Sequence, residues 1–225
     1  MTETISIALD GPSGVGKSTI AKRIAEKLNF VYIDTGAMFR GLAVYFLDRN
    51  LDPEDQKECE AAVSDADVTI TYQEDGQHVM VNGTDVTSRL RFEEVSRAAS
   101  VTSQYPAVRT HLLELQRKLA ATSNVIMDGR DIGTVVLPNA TLKIFLTADP
   151  HIRAIRRYRQ LKEQGKLGNA SLEEIEADIN ERDYRDTHRE TAPLRQAEDA
   201  VYLDSGNMTI TEVEDRILEE LKACR

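Results

Sequence analysis

Residues Gly11 to Ser18 read Gly-Pro-Ser-Gly-Val-Gly-Lys-Ser, an ungapped fit to G-x-x-x-x-G-K-[S/T]. This stretch constrains the fold severely, because such a loop works only between a buried strand and the first turn of a helix. Both neighbours are legible. Ile5, Ile7 and Leu9 alternate as a short strand, and Ile20, Ile24, Ala25 and Leu28 recur at helical spacing. The glycines let backbone N–H groups wrap an anion at the helix N-terminus, with the helix dipole behind them. Lys17 then reaches the β- and γ-phosphates of a nucleotide, and the Ser18 hydroxyl offers a ligand to Mg²⁺.

The 225 residues suffice for one substantial core with a small subdomain. A net charge of −10 and a pI near 5.0 argue against a general nucleic-acid or anionic-membrane surface. Positive charge is local instead: 19 of the 28 basic residues are Arg, with Arg153, Arg156, Arg157 and Arg159 close together. Guanidinium groups suit bidentate phosphate recognition. Cys59 and Cys224 form neither a disulfide framework nor a metal motif, and His78, His111, His151 and His188 have no ligand-like spacing. The segment from Met1 to Asp10 reads as a strand entering the loop and carries no targeting signal, so a cytoplasmic location is expected.

Further along, Phe30 to Ile33 reads as a second buried strand, followed by Asp34-Thr35-Gly36 and a helix from Met38 to about Asp48. Residues at such a strand end fall on the ligand side of a doubly wound sheet. Thr35 and Arg40 are therefore either ligand contacts or, equally well, an N-cap and a solvated helix residue. The alternation from Val68 to Thr87, broken at Glu74-Asp75-Gly76 and Asn82-Gly83, predicts an antiparallel meander inserted into the parallel α/β core. Glu93 to Gln104 reads as a helix, and Pro106 opens a longer one carrying Arg109 near its start.

Val125 to Asp128 is a short apolar strand ending in a carboxylate, followed by Gly129-Arg130-Asp131. That carboxylate fits either a turn or the acidic element that orients Mg²⁺. Leu142 to Leu146 and Ala200 to Leu203 supply the last strands. Asp149-Pro150 starts an Arg-rich helix that stops near Gly165, and Ser171 with Glu174 spells a capping box for another. On the latter, Arg182, Arg185, Asp186 and Arg189 share one face, as a solvated Arg–Asp lattice or as a binding surface.

Taken together, DGPSGVGKST (Asp10 to Thr19), DTGAMFR (Asp34 to Arg40), SRAAS (Ser96 to Ser100), DGRDIGTVV (Asp128 to Val136), KIFL (Lys143 to Leu146) and ERDYRDTHR (Glu181 to Arg189) resemble the nucleoside monophosphate kinases, specifically the bacterial cytidylate kinase family. The resemblance covers nearly the whole chain. It implies an α/β phosphate-loop fold with a parallel sheet of order 2-3-1-4-5 in a single kinase domain. The core would be 1–63, 105–150 and 191–225, with an antiparallel nucleoside monophosphate-binding insertion at about 64–104 and a mobile helical Arg-rich lid at about 151–190. Phe39 departs from the tyrosine expected in much of the family, keeping an aromatic wall without a phenolic hydrogen bond; Thr35 replaces a serine and retains its hydroxyl.

The implied reaction is transfer of the ATP γ-phosphoryl group to CMP or dCMP. The implied ATP contacts are Gly11, Pro12, Ser13, Gly14, Val15, Gly16, Lys17, Ser18 and Thr19. Those to CMP are Thr35, Arg40, Ser100, Arg109, Arg130, Asp131, Arg182, Asp186 and Arg189. Lys17, Arg130, Arg156, Arg157 and Arg189 form the catalytic set, and Ser18 with Asp128, directly or through water, would hold Mg²⁺. Asp131 and Arg109 supply an acceptor beside a donor for cytosine, so UMP is expected to be a poor substrate. The expected partners are small molecules, ATP with CMP or dCMP, and no nucleic acid or membrane, on a monomeric protein. Kinases for another small acceptor such as AMP, UMP or shikimate share the phosphate loop; a GTP-dependent switch is disfavoured because no N-K-x-D motif occurs.

Overall fold

The computed structural model describes residues 4–224, so Met1 to Glu3 of the expected N-terminal strand lie outside the described residues. In chain order the elements are β1 (Ser6–Asp10), α1 (Lys17–Leu28), β2 (Val31–Asp34), α2 (Thr35–Asp48), α3 (Gln56–Ala62), β3 (Val68–Gln73), β4 (Gly76–Val81), β5 (Thr84–Asp85), α4 (Glu93–Thr102), α5 (Pro106–Ala121), β6 (Val125–Gly129), β7 (Leu142–Thr147), α6 (Pro150–Glu163), α7 (Leu172–His188), β8 (Val201–Asp204) and α8 (Ile210–Ala223). Two compact units result, one built on Tyr32–Asn124 and the other joining Ile5–Val31 to Val125–Arg225.

The five-stranded sheet has the order β2-β6-β1-β7-β8. Whole-chain numbering thus replaces the expected 2-3-1-4-5 with 2-6-1-7-8, because the three meander strands take the numbers between. β1 pairs in parallel with β6 and β7, and β7 with β8. Ile7, Ala8, Leu9, Val125, Ile126 and Met127 are all fully buried. That is why Val125 to Met127 reads as an unbroken apolar run, and why Ala8 between the alternating Ile7 and Leu9 is apolar as well: helices cover both faces of a parallel sheet.

In the unit that contains β1, α1 buries Ile20, Ala21, Ile24 and Ala25, and α8 buries Val213, Ile217 and Leu221. Glu214 on α8 is also fully buried, accepting a hydrogen bond from Arg23 at 2.5 Å and pairing with Lys27, both on α1. A buried carboxylate is tolerated only when cations compensate its lost hydration. The hairpin of α6 and α7 has its own apolar seam, in which Tyr158, Leu161, Leu167 and Leu172 pack around Ala154, Ile175 and Ile179. Ser171 and Glu174 form the expected capping box at the start of α7.

The other unit holds the meander, a three-stranded antiparallel sheet ordered β3-β4-β5. Asn82 and Gly83 both have positive φ, 48° and 77°, which the tight turn from β4 to β5 requires. A Cβ on Gly41 of α2 would come within 2.7 Å of Val79 Cγ1 on β4, so the glycine sets how closely helix and meander pack. The helix expected from Met38 begins earlier, at Thr35. Asp34 is its N-cap, accepting from the Ala37 N–H at 2.8 Å, so the capping role open to Thr35 belongs to its neighbour. Among the described residues no helix is long and apolar enough to cross a membrane.

Candidate active site

The phosphate loop leaves β1 at Asp10 and enters α1 at Lys17. Gly11, Gly14 and Gly16 have φ of 152°, 76° and 99°, and a Cβ at Gly11 would lie 2.0 Å from the Leu146 carbonyl oxygen on β7. Only glycine fits there. Lys17 is 7% exposed and folds back over the loop, its Nζ donating to the carbonyls of Gly11 at 2.9 Å and Pro12 at 2.8 Å. Burial, with the neighbouring charge of Arg130 adding to it, pushes the Lys17 ammonium down to about 7. Bound phosphates would pull it back up. The Ser18 hydroxyl donates to Asp128 Oδ2 at 2.7 Å, joining the helix start to the end of β6.

Asp10 is a further part of this site. Its carboxylate accepts from the N–H groups of Ile132 at 2.8 Å and Gly133 at 2.7 Å. These amides open a single wide turn, Ile132–Val136, of π type. Burial raises the Asp10 carboxyl to about 6, against the two N–H groups that favour its charge. The strand that feeds the phosphate loop thereby fixes the turn that follows Asp131.

Arg130, Asp131, Asp186 and Arg189 come together as one cluster. Arg130 Nε donates to Asp186 Oδ2 at 2.7 Å, Arg189 Nη1 lies 4.0 Å from Asp186 Oδ1, and Arg189 Nη2 lies 3.6 Å from Asp131 Oδ1. Burial disfavours the Asp186 carboxylate, but Arg130, Arg182 and Arg189 outweigh it and hold the group below its usual range. Arg189 is further fixed by its Nε and Nη2, which donate to the Ala192 carbonyl at 2.8 Å and 2.5 Å. The helical face read between Arg182 and Arg189 is therefore buried at Asp186, and Arg189 caps α7 rather than continuing it. It is a charge cluster and not a solvated lattice.

Arg156 and Arg157 lie apart from that cluster. Arg156 donates through Nη2 to the carbonyls of Ser205 at 2.7 Å and Gly206 at 3.2 Å, in the loop after β8. Arg157 is exposed and donates to Gln160 Oε1 on its own helix at 2.9 Å.

The unit built on Tyr32–Asn124 holds a second group. Thr35 is buried at the start of α2, and one turn later Arg40 Nη2 donates to Asp34 Oδ2 at 3.0 Å. Ser100 on α4 is buried, and its hydroxyl oxygen has no hydrogen-bond partner among the described residues. A buried hydroxyl left unsatisfied is costly unless a ligand completes it. Arg109 on α5 donates to the Ser103 carbonyl at 3.0 Å and lays its guanidinium over the Phe39 ring, 5.2 Å from the centroid. Phe39 thus contributes a π face to an arginine, a role that needs no phenolic hydroxyl.

Asp10 and Asp34 open two of the motifs quoted above but, like Arg153, are not among the expected site residues. Asp34 had a signal in its position immediately before a helical run; for Asp10 the signal was a carboxylate ending a buried strand. For Arg153 the signal is only its place in the arginine concentration on one helix, which does not set it apart from Arg156, Arg157 and Arg159.

A buried parallel strand, a glycine loop with its Lys and Ser, and a carboxylate at the end of the adjacent strand define a phosphate-loop protein of the parallel α/β class. The profile of the cytidylate kinase family matches residues 7–223, and the chain belongs to that family. A cytidylate kinase of Carboxydothermus hydrogenoformans is 46% identical over 213 residues, covering 95% of each chain. One from Bacillus subtilis is 43% identical over 222 residues, covering 99% of this chain and 98% of the relative. Among solved structures, a gluconokinase from Sinorhizobium meliloti shares the fold with a TM-score of 0.50 at 14% identity, covering 97% of this chain and 92% of the other.

Proposed function

We propose that this protein transfers the γ-phosphoryl group of ATP to the 5′-phosphate of CMP and dCMP, giving ADP and the pyrimidine diphosphate. The observation that carries this reading is the Arg130–Asp131–Asp186–Arg189 cluster, which Asp10 ties to the strand feeding the phosphate loop. Family membership favours CMP over the alternative acceptors UMP, AMP and shikimate. The acceptor phosphate oxygen is already a nucleophile, so the protein needs only to align donor and acceptor and to spread the transferring charge.

In this reading the loop from Gly11 to Thr19 binds the ATP phosphates, with Lys17 released from its loop carbonyls to meet them. Ser18 and Asp128 present hard oxygen donors 2.7 Å apart, a pair that suits Mg²⁺ completed by phosphate and water. When bound, that ion neutralises charge on the β- and γ-phosphates. Arg40, Arg130 and Arg189 take the acceptor phosphate, Asp131, Arg109 and Ser100 the cytosine, and Arg182 and Asp186 the ribose hydroxyls. Thr35 completes the set. Arg156 and Arg157 screen the migrating charge once Arg156 leaves Ser205 and Gly206. The assignment of residues from both units to one nucleotide follows the family resemblance, as do the insertion at 64–104 and the lid at 151–190; a monomer in the cytoplasm completes the reading.

A coupled assay of ATP with CMP, dCMP, UMP and AMP tests the reading. CMP and dCMP are expected to react with kcat/KM at least about 100-fold above that of UMP or AMP, since a mismatched buried hydrogen-bonding edge discriminates strongly. Equal use of UMP or AMP would contradict it.

A further inference from the structure

An anion-binding loop must present its amides and turn its carbonyls away, and each carbonyl turned inward needs a donor. Lys17 accounts for those of Gly11 and Pro12. The next, at Ser13, accepts from Arg153 Nη1 at 3.0 Å. Arg153 is 2% exposed, and its other nitrogens are also committed: Nε donates to the Ala148 carbonyl at 2.8 Å and Nη2 to Asp183 Oδ2 at 2.5 Å. Its Cβ also borders the loop, 3.7 Å from where a Cβ on Gly14 would stand. One guanidinium thus joins the phosphate loop, the end of β7 and helix α7.

We propose that Arg153 is a positioning residue that sets the phosphate loop in its binding conformation and makes that conformation depend on α7, an inference that rests on the donor role given above to the loop. Asp183 is the lever. It lies on α7 three residues before Asp186, which holds Arg130, so Ser13, Arg153, Asp183, Asp186 and Arg130 form a continuous path from the donor loop to the acceptor cluster. The path also identifies the anchored end of the α6–α7 hairpin. Arg153 is in the first turns of α6 and Asp183 in the last turns of α7, whereas the opposite end is the turn through Gly165 and Gly168.

The test is the affinity of the intact protein for ADP, by titration calorimetry, in Asp183→Asn. Electrostatics alone predicts tighter binding, because a negative charge near an anionic ligand has been removed. Positioning predicts the opposite: without its charged partner Arg153 no longer holds Ser13, and ADP binds about fivefold more weakly. Asp183→Glu, which keeps the charge, should stay within about twofold of the parent. Unchanged or tighter ADP binding in Asp183→Asn overturns the inference. Should that variant fail to fold, Arg153→Lys is titrated instead, with the same weakening expected and unchanged affinity again overturning it. Failure of the kinase reading would look different, as a parent protein that binds ADP but does not phosphorylate CMP.

Discussion

Replacing Lys17 with alanine should lower kcat by about a thousandfold, the scale on which one preorganised charge stabilises a transition state. The thermal midpoint should fall by no more than a few degrees, about 1 kcal/mol for a chain of this size. The two halves of this expectation have one cause. Lys17 is buried where its charge is opposed by lost hydration and by Arg130, an arrangement that makes it a poor contributor to stability. Its hydrogen bonds to Gly11 and Pro12 only park it beside the place where phosphates would sit. Steady-state kinetics beside a thermal melt checks both halves. A variant that turns over normally removes Lys17 from the chemistry, and one that unfolds makes it a structural residue.

Asp131→Asn should lower kcat/KM for CMP by about 100-fold and bring the preference for CMP over UMP to within about tenfold. The substitution preserves shape and burial while replacing a pure acceptor with a group that can also donate, so the uracil carbonyl is no longer facing a like-polarity oxygen. Asp131 is 4% exposed and pairs with Arg189 at 3.6 Å, which limits how its carboxylate can turn. A variant that keeps the full CMP preference would move specificity to another residue.

The fold was legible where one physical demand dominates. Gly11 passes under the Leu146 carbonyl, and the apolar stretches at Ile7 to Leu9 and Val125 to Met127 are strands buried on both faces, the first marked by the phosphate loop that must follow a strand. The meander was equally clear, through its alternation and the Asn82-Gly83 turn. What spacing could not supply was the choice among charged partners. Arg182, Arg185, Asp186 and Arg189 spell the same periodicity whether solvated or buried, and only the tertiary fold shows Arg130 reaching across to Asp186. The partners of Asp10 and Arg153 are hidden for the same reason: each acts on backbone groups more than a hundred residues distant in sequence, at Ile132, Gly133 and Ser13.

The central claim is direct transfer between two bound nucleotides. Incubating the purified protein with CMP, Mg²⁺ and ATP labelled in its γ-phosphate, then resolving the products, tests it most directly. Label should appear in the β-phosphate of CDP, in step with ADP and with little free phosphate, because a site that excludes water protects the transferring group from hydrolysis. Label released mainly as inorganic phosphate, or CDP formed without it, would contradict the account.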